Sequence, residues 1–438
     1  MRLVQLPYTY NPIKRSTVEW AGLNRRSLIA DNQLSDCSNL STKQSPLISP
    51  RPSRAVSYTL TSGTALFPAL KLCWVDGTDF LYDNVDKGNV TAGSKSMVDF
   101  NGKVVIFPDK VAYDYVADSF AAFGAGVYPV AGSVPDIDYA CELDNRIWGV
   151  KGDNIYCNAL GDYDDWTSFL NPDGSVNDAG AWSVDTGTNG DFTGIVSYKG
   201  ANIAFKRDCV WKRFGNVPSD FQFVEISRLG CTNNKSICEV NNILFWLSPQ
   251  GIVAYTGGVP EVISEDLNDN YVSGVAGGDG RRYYISLYNG STYALYVYDT
   301  WKNAWLQEDN LHAIEMAYFD GSLYALASDN KIYEFGSGTE KVSWYATTKD
   351  YTEQANNKKV HSELSFRVDL ETGSTLSIYV KEDNGVFRLV KTYATTNLTS
   401  FNVAIKPKRC DHFAVKMVGS GEGIIHEMTR KFYAVSEY

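Results

Sequence analysis

Apolar and polar residues alternate in short runs along most of this 438-residue chain, and tight-turn dipeptides cut those runs at regular intervals. In residues 143–166, LDNRIWGVKGDNIYCNALGDYDDW, a turn at Asp144-Asn145 precedes RIWGV and a turn at Asp153-Asn154 precedes IYCNA. The same two-step unit recurs as FNGKVVIF with PDKVAYDY, YKGANIAF with KRDCVWKRF, and VNNILFWL with SPQGIVAYTGG. Two more copies are DGRRYYISLYNGSTYALYVYD and FDGSLYAL with SDNKIYEF. Asn-Gly and Asp-Gly supply the positive φ angles of two-residue hairpins, and the runs between them have strand length.

The first turns end at 102, 145, 200, 242, 280 and 321, at intervals of 43, 55, 42, 38 and 41 residues. Two hairpins in each period of about 40 residues mark the four-stranded blade of a propeller. An earlier half-unit, LCWVDGTDFLYD, turns at Asp76-Gly77 and reads as the second hairpin of another blade. Six full units and one partial unit predict an all-β fold: a six- or seven-bladed β-propeller over 55–339, with a strand from elsewhere closing the ring. The long interval holds an insertion, NPDGSVNDAGAWSVDTGTNGD, and Asp162, Asp164 and Asp165 are expected on a loop between blades.

The ends of the chain read differently. Residues 1–54 are polar and rich in Pro and Ser, with no sustained period, and are expected as an extended N-terminal arm with a short helix at most over 31–40. Residues 340–438 carry six alternating runs, LSFRVDL, TLSIYVKE, VFRLVKTY, SFNVAIKP, HFAVKMVG and IIHEMTRKFYAV, which predict a small β-sandwich.

Composition supports the all-β reading, because 13% of residues are aromatic and aromatic side chains suit pleated, half-buried surfaces. Charge is unevenly spread. The net charge of −11 divides into +5 over 1–54, −18 over 55–339 and +2 over 340–438. An acidic middle argues against tight nucleic-acid binding there, since phosphate contacts need Lys and Arg. It also makes docking of the basic arm on the chain's own propeller plausible. The opening MRLVQLPYTYNPIK lacks a signal-peptide apolar region, and no run approaches the roughly 18 apolar residues of a membrane span. The expectation is a soluble chain made in a cytoplasm, with its 8 Cys as small buried thiols.

Motifs for chemistry are sparse. No phosphate-binding loop, zinc-protease helix or nucleophile elbow occurs. His426-Glu427 begins like a zinc-protease motif, but Arg430 stands where the second His belongs. Asp185, Asn189 and Asp191 have the oxygen spacing of a calcium loop without its terminal Glu, and Ser183-Val-Asp185-Thr-Gly187 resembles the Asp-box of sialidase-type propellers without its aromatic or a second copy. No catalytic, metal or cofactor residue is assigned. Spatial pairing of carboxylates for glycoside hydrolysis is invisible at this level.

The arm GLNRRSLIADNQLSDCSNLSTKQSPLISPRPSR resembles the opening of a family of bacteriophage virion proteins, through Gly22, Leu23, Asn24, Leu34, Asp36, Asn39, Leu40, Pro46, Leu47 and Arg51. The blade text NRIWGVKGDNIYCNALGDYDDWTSF is similar to that family's recurrent element at Asn145, Arg146, Trp148, Tyr156, Gly161 and Trp166, and ILFWLSPQGIVAYTGGVPEVIS is a third such stretch. The family is that of tail accessory, packaged-DNA stabilisation or nozzle proteins of short-tailed phages, and the likeness covers residues 20–340. It implies a non-enzymatic, cofactor-free structural protein of the virion neck or tail. Commonly six copies form a ring that extends or closes the DNA channel below the portal and adaptor. The ring retains the genome and passes the double-stranded DNA without sequence-specific binding. Arg25, Arg26, Arg51 and Arg54 are then candidate contacts to a neighbouring subunit or the connector, with plain solubility or pairing inside the chain as the other role open to them. The alternative is a carbohydrate-active or receptor-binding propeller on the phage tail.

Overall fold

The structure is a computed structural model that describes residues 11–353, 358–394 and 397–434; the first ten residues, part of the stretch read above for a leader, lie outside the described residues. Seven four-stranded antiparallel sheets follow one another in chain order. Six are continuous in sequence, over residues 63–89, 96–122, 139–185, 192–227, 238–262 and 273–307. The seventh combines Ala313–Phe319, Ser322–Ala327 and Lys331–Phe335 with Arg54–Thr59, a strand that precedes the first sheet.

The turn chemistry explains the register. Asn101 and Gly102, Asp144 and Asn145, Lys199 and Gly200, Asn241 and Asn242, and Asp320 and Gly321 all have positive φ, as two-residue hairpins of the required twist demand. At the sixth such turn the Asp279 carboxylate caps the backbone N–H groups of Arg281 and Arg282 instead. The half-unit at Asp76-Gly77 is the middle hairpin of a complete first sheet. Its outer strands escaped notice because the loop at 69–71 has no turn dipeptide and Val85–Asn89 is mostly polar. The incomplete unit is therefore the last one, completed by Arg54–Thr59.

Consecutive sheets share apolar cores. Phe80 and Tyr113 join the first two, Phe107 and Ile147 the next two, and Trp148 and Phe221 the third and fourth. Trp246 and Phe205 join the fourth and fifth, Phe245 and Tyr283 the fifth and sixth, and Tyr284 and Phe335 the sixth and seventh. Trp74 of the first sheet packs with Leu326 and Ile332 of the seventh. The arrangement is propeller-like.

The C-terminal region forms two five-stranded sheets with one core between them. One has the order Ile13–Thr17, Gly423–Ala434, Lys359–Leu370 and Thr399–Ala404, with Arg409–Cys410 also pairing to Lys359–Leu370. The other runs Leu34–Ser38, Ser343–Thr348, Phe413–Ser420, Thr375–Glu382 and Arg388–Tyr393. All six expected runs are strands. Two of the ten strands come from the arm, and the region expected as a short helix contains the strand Leu34–Ser38. Its Leu34 and Cys37 are buried against the core, an outcome that tertiary packing imposes on a segment with no helical face.

The arm is the joint between the two parts. Trp20, Leu23, Leu34, Leu40 and Ile48 are buried in a core that continues from the sandwich-like sheets into the fifth and sixth sheets. Burying each contributes about 2 kcal/mol.

Candidate functional site

The four arm arginines are held by carboxylates of the same chain. Arg25 donates to Asp36 (3.0 Å), Gln307 (2.6 Å) and the Tyr296 hydroxyl (2.6 Å). Burial works against its charge, but Tyr296 and Asp36 outweigh that and strengthen it. Arg26 reaches Glu265 at 2.6 Å and Asp266 at 3.4 Å. Arg51 and Arg54 converge on Glu308 and Asp309, with Arg51 also donating to Asn39 at 2.7 Å. Arg54 lies 4.2 Å from the Phe335 ring centroid. Burial pushes the Glu308 carboxyl up against the pull of Arg54 and Arg51, while Glu308 and Asp309 keep Arg54 charged despite its own burial. These contacts span 11 to 282 residues and fasten the arm to the fifth, sixth and seventh sheets. These are pairings within the chain.

The arm residues that carry the family resemblance make this joint. Gly22 has φ +89° and sits so close to the sixth sheet that a β-carbon there would lie 2.7 Å from the Trp305 carbonyl oxygen. Leu23 N–H donates to the same oxygen at 2.7 Å, and the Asn39 N–H donates to the Glu308 carbonyl. The second resembling stretch also acts as one unit. The buried Arg146 guanidinium donates to the carbonyl oxygens of Asn158, Gly180 and Asp178, and so fastens both ends of the loop 158–181. Gly161 N–H donates to Asn145 O at 2.9 Å, and Trp166 is buried against Phe107. Asp162, Asp164 and Asp165 stand in this loop, which joins two strands of the third sheet rather than two sheets. Asp162 and Asp165 cap backbone N–H groups there. Burial and the neighbouring Asp162 and Asp165 push the Asp164 carboxyl up.

At the middle of the seven sheets, Ala313–Phe319 lies beside Gly63–Pro68 and Ser273–Gly278. Glu315 accepts from Lys235 Nζ at 3.2 Å and from the Leu66 N–H at 3.3 Å, and Lys235 also donates to the Ile314 carbonyl. About a fifth of the Glu315 side chain still meets solvent (22%), yet the surrounding protein pushes its carboxyl up while Lys235 pulls it down. Lys235 precedes the fifth sheet, Glu315 is in the seventh and Leu66 in the first, so this group of contacts ties non-adjacent sheets together across the centre. No sequence signal marks Lys235 or Glu315, because 80 residues separate them and neither belongs to a motif.

A cleft of about 540 Å³ lies among the arm, residues 336–341 and the loops around Asp369 and Glu422. Lys43, Lys341, Glu340 and Glu371 line it, with no aromatic residue. Small-molecule sites are mostly walled by apolar and aromatic side chains, of which this cleft has only Pro50, Pro52 and Ile424. Burial and the neighbouring Glu371 push the Glu422 carboxyl up, with Lys43 opposing.

Other sequence candidates have local roles. Asp185 caps the Gly187 N–H, and no group of three or more His, Cys, Asp or Glu suited to a metal occurs among the described residues. His426 and Glu427 lie on the strand Gly423–Ala434, not on a helix. All eight cysteines are free thiols, and burial pushes Cys37, Cys141, Cys157, Cys231 and Cys238 up to about 12. Thiols so disfavoured as thiolates are poor nucleophiles. Among the described residues, no helix is long and apolar enough to cross a membrane.

No protein-family model matches the chain, and no curated protein matches it. Similar solved structures include an extracellular domain from B. thetaiotaomicron, with TM-score 0.46 and 11% identity over 87% of this chain and 62% of that one. A second is PorZ, a surface component of the type-IX secretion system of Porphyromonas gingivalis, with TM-score 0.37 and 12% identity over 71% of this chain and 42% of that one. A third is an exo-beta-1,3-galactanase from Phanerochaete chrysosporium, with TM-score 0.28 and 9% identity over 70% of this chain and 99% of that one. The chain spans less than two thirds of the first two, and at these scores the likenesses carry no argument about what it does.

Proposed function

We propose that this chain is a structural protein of a bacteriophage virion, a tail accessory or nozzle component. Several copies form a ring that extends the DNA channel below the portal and adaptor. In this reading the seven sheets are the blades of one closed seven-bladed β-propeller, sealed by Arg54–Thr59, and the C-terminal sheets with two arm strands are a β-sandwich fixed to its rim. The observation that carries the reading is the placement of the resembling residues. Gly22, Leu23, Asn39 and Arg51 dock the arm on the sixth sheet and the segment that follows it, while Asn145, Arg146, Gly161 and Trp166 organise one ordered loop.

The centre of the propeller supports a structural role over a catalytic one. A carbohydrate-active propeller needs carboxylates free to act on a bound sugar, whereas Glu315 at the centre is engaged by Lys235 and a backbone N–H. In this reading the Lys235–Glu315 contacts link blades on the inner side of the propeller, and the duplex passes between copies and not through a single propeller. The acidic propeller surface repels phosphate and keeps DNA from sticking, as a conduit requires.

The test uses phage particles assembled without this chain. Adding the purified protein should restore nuclease resistance to the packaged genome. Particles whose DNA stays equally exposed, together with release of sugars from host envelope by the purified protein, would favour the carbohydrate-active alternative.

A further inference from the structure

Two surface segments carry opposite, undiluted charge. Residues 386–410 hold five cations, Arg388, Lys391, Lys406, Lys408 and Arg409, and no carboxylate. Residues 158–181 hold five Asp and no cation. Lys391, Lys406, Lys408 and Arg409 are exposed, and none pairs with a carboxylate among the described residues; Arg388 is bonded to Glu382 at 2.5 Å. In the acidic loop Asp162, Asp164, Asp173 and Asp178 are exposed.

Each segment also exposes apolar side chains among its charges. In the basic one Val386 is 86% exposed, Leu389 53% and Leu398 46%. In the acidic one Leu170 is 60% exposed, Leu160 52% and Val176 46%. Apolar groups rimmed by charge are the composition of a docking patch.

The fold keeps the two apart within one chain. Arg388–Tyr393 and Thr399–Ala404 are the edge strands of their sheets, and in each sheet the opposite edge is an arm strand. The arm strand Leu34–Ser38 and the adjoining Asn39 contact Gln307 and Glu308 at the end of the sixth sheet, so Arg388–Tyr393 is the edge of that sheet farther from the propeller. The acidic loop belongs to the third sheet, three sheets from the sixth in one direction and three from the seventh in the other. The acidic loop is also rigid, with Arg146 beneath it and Asx caps along it, so little ordering cost attends its docking.

We propose that the basic sandwich edge of one copy docks on the acidic 158–181 loop of a second copy. The contact is head to tail, which builds a ring when its rotation closes. This inference rests on the ring reading above and names the surfaces that ring would use.

The experiment measures self-association by light scattering across concentration and salt. Three variants are compared with the wild-type chain: Lys406→Glu/Lys408→Glu/Arg409→Glu, Asp164→Lys/Asp173→Lys, and the chain carrying both sets. Each single set should weaken assembly roughly tenfold or more, the combined set should restore it, and added salt should weaken the wild type. Unfolding curves confirm that each variant folds; the basic residues changed make no ion pair among the described residues, so that variant stands alone if the loop variant is unstable. Assembly of both single sets as strongly as wild type overturns the inference and leaves the ring reading in place. A wild-type chain that stays monomeric both alone and mixed with phage particles that lack it overturns both. A monomer that binds duplex DNA through the basic edge instead also overturns the inference.

Discussion

Arg430 and Glu353 form a buried ion pair, Nε to Oε1 at 2.8 Å with side chains 1% and 0% exposed, that joins the last strand to the segment after Ser343–Thr348. The N-terminal arm is fastened to the same pair. Arg430 reaches Thr17 and Asp31 at 3.3 Å, and Arg15 approaches Glu353 at 3.5 Å. Tyr351 lies against the guanidinium, 3.4 Å from ring centroid to Cζ. The two ends of the described chain are thus held through one charge cluster.

Removing one member leaves the other charge buried without a partner. Arg430→Leu should cost about 3–5 kcal/mol, and the double variant Arg430→Leu/Glu353→Leu should recover part of it. Denaturant unfolding measures both. Equal losses in the single and double variants would contradict the pairing.

Acid should dissolve this cluster. Burial alone would raise the Glu353 carboxyl, but His361 and Arg430 outweigh it and hold the group at about 2, below its ordinary 4.5. That contribution is present above pH 4.5 and is lost as pH falls toward 2. Burial lowers His361 below its ordinary 6.5, so the unfolded chain takes its proton first and stability also falls as pH drops below 6.5. Stability should decline in two stages, and Glu353→Gln should flatten the decline between pH 4.5 and 2. Acid titration of the unfolding midpoint checks this.

The arm arginines should differ in worth. Arg54 is 6% exposed beside Glu308 at 5%, whereas Arg26 is 45% exposed beside Glu265 at 68%. Arg54→Ala should cost about 3–5 kcal/mol, and Arg26→Ala under about 1 kcal/mol. Thermal unfolding of both variants distinguishes them.

Gly22→Ala should loosen the arm. The site combines φ +89° with the close Trp305 carbonyl, so any β-carbon must push the arm off the sixth sheet. The expected loss is about 1–3 kcal/mol, with faster proteolysis between residues 18 and 33. Unchanged cleavage there would show that the arm is anchored elsewhere.

Much of the fold was legible because hairpin turns write themselves locally. Asn101-Gly102 or Asp320-Gly321 specifies φ > 0 at adjacent residues, and alternation on either side sets the strands. The C-terminal strands were legible from alternation alone, since most successive ones lie in different sheets. The arm strands were not. Ile13–Thr17 pairs with a strand more than 400 residues later, and IKRST shows no buried face of its own. That a strand from elsewhere completes one unit follows as a principle, but not that Arg54–Thr59 pairs with Lys331–Phe335 of the last one. The candidate site was the least legible part. Arg54 meets Glu308 across 254 residues, and Lys235 meets Glu315 across 80, so neither pairing leaves a local trace.

The most direct measurement is the mass of the purified protein by sedimentation, alone and mixed with phage particles that lack it. The account predicts a ring of several subunits, or a monomer that becomes a ring on those particles. A monomer that ignores the particles would contradict it.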